Sequence, residues 1–523
     1  MIKNKYIALA LFVLVIFPVF SQDTSILWQR TIGGSEMEQF PHILETDDGG
    51  LLLGGTSSSN ISGEKMEDSR GGEDFWILKL DSSGGIEWQR TIGGSGNDKL
   101  QSVSKTIDGN YLIGGSSDSP ISGEKSEASR GLSDYWFLKI GAAGNIIWQK
   151  TLGGSDYDFL TTIKELNDGG FILYGMSGSS ISGDRTVNQT NGDPDLWMIK
   201  LHADLSISFQ KSLGFGGSFG HSATDLDLVN ESGYIISGVF GTNSSQEAYY
   251  ISLINSNGLK IWDELYGGNS FEFAPFVFST NENNFIVAGT SSSNISGNKT
   301  EDSEGGFDFW ILELNENGEI NWQNTIGGTG GEQPWAVFQT QDGNYIVSGN
   351  SDSPISGDKT EDAKGNSSDF WIIKLNNEGI ILWQNTIGGD SVDHHARIIE
   401  SVNENYYICG SSRSNISFDK VEDSRGEDDF WILKLDSTLG LQESELFKNF
   451  TFYPNPAKNR LELLVKDIRI DSVKLFSAKG ALIQIVEGFI GNKTIDISQL
   501  SSGVYFLQIA GNNKVVTKKF IKE

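Results

Sequence analysis

Between residues 98 and 154, apolar and polar side chains alternate in short runs separated by Gly- or Asn-rich turns. A period of two puts successive side chains on opposite faces, so each run predicts a β-strand. Residues 99–106 read as the first strand, Asp108-Gly109-Asn110 as a tight turn, and residues 111–116 as the second strand. A long polar loop reaches Ser133, and Asp134–Ile140 is the third strand. Ala143-Gly144-Asn145 turns the chain into the fourth, Ile146–Leu152, and Gly153-Gly154 leads into a new copy of the pattern.

Copies recur about every sixty residues and carry twelve of the thirteen tryptophans on two beats. Trp76, Trp136, Trp197, Trp310, Trp371 and Trp431 lie on third strands, with Tyr250 filling the gap. Trp28, Trp88, Trp148, Trp262, Trp322 and Trp383 lie on fourth strands, with Phe209 filling the gap. A fixed period of this length means one supersecondary unit copied many times. Four antiparallel strands in each of seven copies, with no helical period between them, predict an all-β chain built as a seven-bladed β-propeller. Both indole series are expected to fill the space between blades. A glycine recurs in every second strand (Gly55, Gly115, Gly175, Gly238, Gly289, Gly349 and Gly410), and it predicts a neighbouring aromatic ring over bare backbone.

The array starts with a lone outer strand, Ile26–Ile32, and ends with a lone third strand at residues 430–435. Pairing the two would hydrogen-bond both edges and close the ring. The fourth copy is shorter by about seven residues, its long loop shrinks to residues 241–247, and Tyr249-Tyr250 replaces the Phe-Trp pair. Such a gap suits either a lateral entry or drift in a surface loop, and drift is preferred.

Composition and charge narrow the function classes. A formal charge of −30 leaves no basic stripe to displace counterions from phosphates, which argues against nucleic acid. Lys3 and Lys5, the apolar stretch 6–20 and a small-residue site at Ser21 read as a signal peptide, with Gln22 the first mature residue and no membrane span in the mature form. Cys409 is the only cysteine; it predicts a small buried hydrophobe and no intramolecular disulfide.

After Asp436 the repeat stops, and residues 437–448 read as a linker to a β-rich tail at 449–523. The tail carries Phe452-Tyr453-Pro454-Asn455-Pro456, then Val473-Lys474-Leu475-Phe476-Ser477 with Gly480, then Ile495-Asp496-Ile497 to Leu500. Ser502-Gly503-Val504-Tyr505-Phe506-Leu507 and the basic end Lys518-Lys519-Phe520-Ile521-Lys522 follow. In this order and spacing the tail resembles the type A C-terminal sorting domain of the type IX secretion system of Bacteroidota. The resemblance implies a small Ig-like β-sandwich recognised by the secretion machinery, and removal of the tail at the outer membrane with release or surface attachment. The residues themselves indicate a second all-β module with a basic end. The repeats also resemble those of secreted proteins from the same bacteria. The chain thus divides into a signal peptide (1–21), a propeller (22–436), a linker (437–448) and a sorting domain (449–523).

No catalytic motif stands out. The five histidines (His42, His202, His221, His394 and His395) lack zinc-ligand spacing, and neither a nucleophile elbow nor a phosphate-cradling loop occurs. No cofactor is expected; calcium stays open as an alternative, without an EF-hand loop or other specific motif to support it. Three features bear on chemistry. The long loop repeats Lys65 with Glu67-Asp68-Ser69-Arg70, then Lys299, Lys359 and Lys420 with their acids. It reads as a cation-bridged or glycan-binding rim, or, preferably, as charges pairing among themselves. The aspartate opening each third strand (Asp74, Asp134, Asp195, Asp308, Asp369 and Asp429) reads as a ligating ring or, preferably, as a blade part that accepts N–H bonds from the Gly-Gly turn. Where the copies diverge, at the start of the inner strands, lie Phe40, His42, Gln101, Phe276, Trp335, His394 and His395. Aromatics and imidazoles there suit stacking and hydrogen bonding to a sugar or peptide, or equally a plug of bulky groups. The preferred function is an exported surface or extracellular module that binds a glycan, a peptide or a surface protein. The alternatives are a polysaccharide-active hydrolase or lyase with carboxylates at the channel mouth, and a passive surface-layer component.

Overall fold

A computed structural model describes residues 26–190, 194–214, 221–229, 233–243, 246–436, 450–454, 457–465, 469–477, 482–511 and 514–522. The expected signal peptide and linker lie outside these residues. The described residues divide into two compact units, 26–436 and 450–522.

The larger unit is a succession of four-stranded antiparallel sheets, one for each sequence copy. In the first, Glu38–Glu45, Leu51–Ser57, Asp74–Leu80 and Ile86–Ile92 pair in chain order. The next four sheets begin at Asp98, Asp158, His221 and Glu272 and end at Leu152, Leu213, Tyr266 and Ile326. A sixth runs from Glu332 to Ile387. The last takes three strands from Asp393–Glu400, Tyr406–Ser412 and Asp429–Leu435, and its fourth from Ile26–Ile32 at the other end of the chain. The fourth copy has no long loop; its second and third strands lengthen and stay paired out to Asn243↔Gln246.

The indoles of the third strands are fully buried and pack against an aromatic ring of the preceding sheet. Trp136 stacks on Phe75 at 5.0 Å, Trp371 meets Phe309 in a tilted pair at 5.1 Å, and Trp76 reaches back to Phe430 at 5.6 Å. Each Nε1–H is satisfied within its own sheet, as in Trp136 to Gln149 Oε1 (3.1 Å), and the glutamine passes the link to a loop carbonyl, Gln149 Nε2 to Glu124 O (2.6 Å). Trp431 makes the same bond to Gln29 at 3.0 Å, so the relay crosses between the chain ends.

The fourth-strand indoles do otherwise. Most are half-buried; they pack against the inter-sheet clusters from the periphery, as Trp148 does on Phe171 of the next sheet at 5.3 Å, and lie over that sheet's outer turn. Trp88 donates to Ala142 O (3.0 Å), and a Cβ on Gly144, whose φ is +77°, would sit 2.9 Å from the Trp88 ring. That turn needs glycine both for its left-handed backbone and for the close ring. The recurrent second-strand glycines divide into two kinds. At Gly55, Gly289 and Gly410 a Cβ would strike Phe430, Tyr249 and Phe370, whereas at Gly115 and Gly349 it would strike the bulged backbone of the adjacent inner strand.

The smaller unit has a three-stranded sheet (Phe450–Tyr453, Arg460–Val465, Lys493–Asp496) and a four-stranded one (Leu482–Ile490, Arg469–Ser477, Gly503–Gly511, Lys514–Lys522). Leu461, Leu463, Val473, Leu475, Leu507 and Ile509 bury a shared core between them, a β-sandwich arrangement.

Candidate functional site

The inner strands converge on one cavity of about 450 Å³. Every sheet of the larger unit contributes to it: His42, Gln101, Thr161, Ser222, Phe276, Trp335 and Arg397 come from successive copies. One wall is rich in hydroxyls and amide (Gln101, Ser102, Ser104, Thr161, Thr162, Ser222, Thr224), and the other is aromatic (Phe273, Phe276, Trp335, His42).

The aromatic wall is shaped by backbone irregularities. The inner strands slip register between Gln39/His42, Phe273/Phe276 and His394/Arg397. Within these slips Phe40, Ala274 and His395 adopt φ of 54°, 51° and 60°. Left-handed backbone at non-glycine residues costs roughly 1–3 kcal/mol each, and bulges of this kind re-aim side chains. The result is a cluster: Phe40 lies 4.5 Å from His395 and 6.3 Å from Trp335, Trp335 meets His395 edge-on at 4.5 Å, and Phe276 lies 6.2 Å from Trp335. The Trp335 Nε1–H is anchored on Asn350 Oδ1 at 2.7 Å. His394 stacks on His395 at 3.9 Å, with its Nε2 3.3 Å from Asp428 Oδ1. Burial tends to raise the Asp428 pKa, yet hydrogen bonds from His394, Arg413 and Gln39 hold it well below the usual carboxylate range. Burial, reinforced by His394 and Arg397, lowers His395 to about 3, and burial with Arg397 lowers His42 well below the ordinary imidazole value. Both imidazoles are therefore neutral at physiological pH, fit for stacking and hydrogen bonding but not for ion pairing.

Of the residues singled out in the sequence, Phe40, Phe276, Trp335, His394 and His395 thus come together, while His42, Gln101, Phe276 and Trp335 face the cavity. Sequence reasoning missed the charged groups farther along the inner strands: Arg397, Lys164, Asp225 and Asp227. Lys164 Nζ pairs with Asp227 Oδ1 at 2.6 Å, and burial raises Asp225 to about 6. The available signal was divergence between copies, carried two residues beyond the positions chosen.

The repeated acids take different roles from those expected. Asp74 accepts from Arg70 N and Ser69 Oγ, both at 2.6 Å, and so holds the long loop rather than the Gly-Gly turn. That turn is held by the acid opening the next inner strand, as in Gly94 N to Asp98 Oδ2 (2.6 Å) and Gly34 N to Glu38 Oε2 (2.8 Å). A Cβ on Gly93 would sit 1.7 Å from Asp74 Oδ1, which is why the first glycine of the pair recurs. The loop lysines likewise do not form an exposed rim. Lys65, Lys125, Lys299, Lys359 and Lys420 are buried over the third-strand indoles, with Nζ 5.1–5.7 Å from the ring centroids. The loop arginines pair from sheet to sheet, as in Arg70–Glu124 (3.0 Å), Arg130–Asp184 (2.8 Å) and Arg425–Glu64 (2.8 Å). Cys409 is buried, with its thiol pushed up to about 12 by burial. Among the described residues no group of three or more His, Cys, Asp or Glu side chains is placed to hold a metal ion, and no helix is long and apolar enough to cross a membrane.

Among curated proteins none matches this chain. Solved structures similar in part include Kuenenia stuttgartiensis hydrazine synthase (10% identity, 72% of this chain and 93% of that one, TM-score 0.42). YCF48 bound to D1 peptide (9% identity, 80% and 97%, TM-score 0.39) and Drosophila Plexin A in complex with Semaphorin 1b (7%, 80% and 88%, TM-score 0.39) are others. The informative match is to a family model at the other end of the chain: residues 451–523 are a secretion system C-terminal sorting domain, which marks the protein for export.

Proposed function

We propose that the larger unit is a closed seven-bladed propeller, exported through the type IX system under the direction of residues 449–523, and that it binds a ligand at its axial cavity. Pairing of Ile26–Ile32 with Asp429–Leu435 supports closure, as does the Trp431–Gln29 bond. The observation carrying the binding reading is the cavity itself, an aromatic wall facing a hydroxyl-rich wall, with strained Phe40 and His395 supporting Trp335. Apolar ring faces with a few directed polar groups suit a sugar or a peptide better than bulk adhesion. Binding to a glycan array that disappears in Trp335→Ala and His395→Ala, with the fold intact, is the expected result. Unchanged binding in both variants overturns the axial site.

A second reading, a polysaccharide-active enzyme, is favoured by one observation: Asp225, raised to about 6 by burial, lines the cavity together with Lys164, which pairs with Asp227. Product release from a polysaccharide panel, lost in Asp225→Asn, would select it over binding alone.

A further inference from the structure

Arg397 sets the chemistry of the cavity. It is half-buried, and the part of its surface left open lines the cavity. Among the described residues no hydrogen bond or ion pair reaches its guanidinium; its contact is with the Phe276 ring, 5.7 Å from the guanidinium carbon. A guanidinium that lines a cavity with five donors and no protein acceptor is placed to receive an acceptor from a ligand there. The other cavity cation, Lys164, already has Asp227 at 2.6 Å. Asp225 influences Arg397 through space, but its oxygens accept from the Leu226 N–H (2.8 Å) and the Val277 N–H (3.4 Å).

We infer that the axial cavity takes a carboxylated pyranose, a hexuronic acid residue, whose carboxylate pairs with Arg397. A planar carboxylate matches the guanidinium fork with two parallel hydrogen bonds. The ring's C–H face lies on Trp335 and Phe276, and its hydroxyls meet Gln101, Thr161 and Ser222 on the opposite wall. A volume of about 450 Å³ suits a ligand of one or two sugar rings. This inference rests on the axial-binding reading and specifies its ligand class.

The test is calorimetric titration of the full mature chain with galacturonic and glucuronic acid and their short oligomers. Each runs against its methyl ester, which keeps the ring and hydroxyls but loses the charge. A peptide with a free C-terminal carboxylate is a further arm. The acids are expected to bind at least about tenfold tighter than the esters, with the preference abolished in Arg397→Met and reduced in Arg397→Lys. Gln101→Ala, on the opposite wall, weakens acid and ester alike, and near-UV dichroism checks that each variant folds. Equal binding of acid and ester, an unchanged preference in Arg397→Met, or tighter binding of the peptide carboxylate overturns the uronate assignment. In those cases Trp335-dependent binding of another ligand would still uphold the axial site. Loss of any Trp335-dependent binding would remove both.

Discussion

At the residue scale, the third-strand tryptophan does two things at once, filling the gap between sheets and tethering a loop through its glutamine. Trp136→Ala is therefore expected to cost about 3–5 kcal/mol, because it removes buried area and leaves a cavity between two rigid sheets. Gln149→Leu is expected to cost about 1–3 kcal/mol by orphaning the buried indole N–H. Denaturant unfolding of both variants measures the difference. The buried acids predict a pH dependence of a particular sign. Burial raises Asp369 to about 8, Glu38 to about 7 and Asp158 to about 6. Each holds its proton more tightly folded than unfolded, so its contribution is complete below about pH 4 and is lost as pH rises through its folded value. Stability should therefore fall as pH rises from about 4 to about 8, and Asp369→Asn should flatten that decline. Burial likewise lowers Lys359 to about 8, outweighing the attraction of Glu332 and Asp369. Its contribution changes between about 8 and 10.5, above that window, where stability rises with pH. Melting temperatures across pH 5–9 for the parent and Asp369→Asn would decide this; parallel curves would reject it.

At the scale of elements, the distinctive strand is Ile26–Ile32. It supplies the outer edge of a sheet whose other strands lie some four hundred residues away in the chain, and it carries Gln29 to Trp431. Deleting residues 22–32 exposes the backbone edge of Asp429–Leu435 and orphans the Trp431 indole. The expected outcome is a lower unfolding midpoint together with concentration-dependent association, as an unpaired edge recruits another chain. Unfolding and light scattering on the truncated protein measure both, and an unaltered, monomeric protein would argue against closure. The long loops matter at the same scale. Their buried lysines and sheet-to-sheet ion pairs make them part of the frame, so ligand specificity is assigned to the inner strands instead.

For the whole molecule, two compact units divide the labour, one presenting a cavity and the other carrying an export address. Removing residues 449–523 is expected to leave the larger unit folded but retained in the periplasm, and fusing them to an unrelated periplasmic protein should export it. Cell fractionation with immunodetection reads both outcomes. The formal charge of −30 keeps such a protein dispersed and opposes long-range capture of anions. Recognition of a carboxylate therefore depends on local contact with Arg397, not on steering.

Repeat length, strand order, the sites of the twelve periodic indoles and the sorting tail were legible in the sequence, because each is a local or periodic property written in period-two alternation and turn residues. The copies' divergence at the inner strands also pointed to Phe40, Phe276, Trp335, His394 and His395. Tertiary structure alone decided which acid holds which turn, since Asp74 and Asp98 both lie within reach of the Gly-Gly turn in sequence and only packing assigns Asp98 to it. It alone placed the loop lysines over the indoles, where the sequence offered a cation-bridged or glycan-binding rim or charges pairing among themselves. It alone brought Arg397 of the last copy into one cavity with Gln101 of the second and Asp225 of the fourth. Periodicity sets the faces of a strand, whereas convergence of faces from distant copies depends on the angle between sheets, which no local pattern encodes.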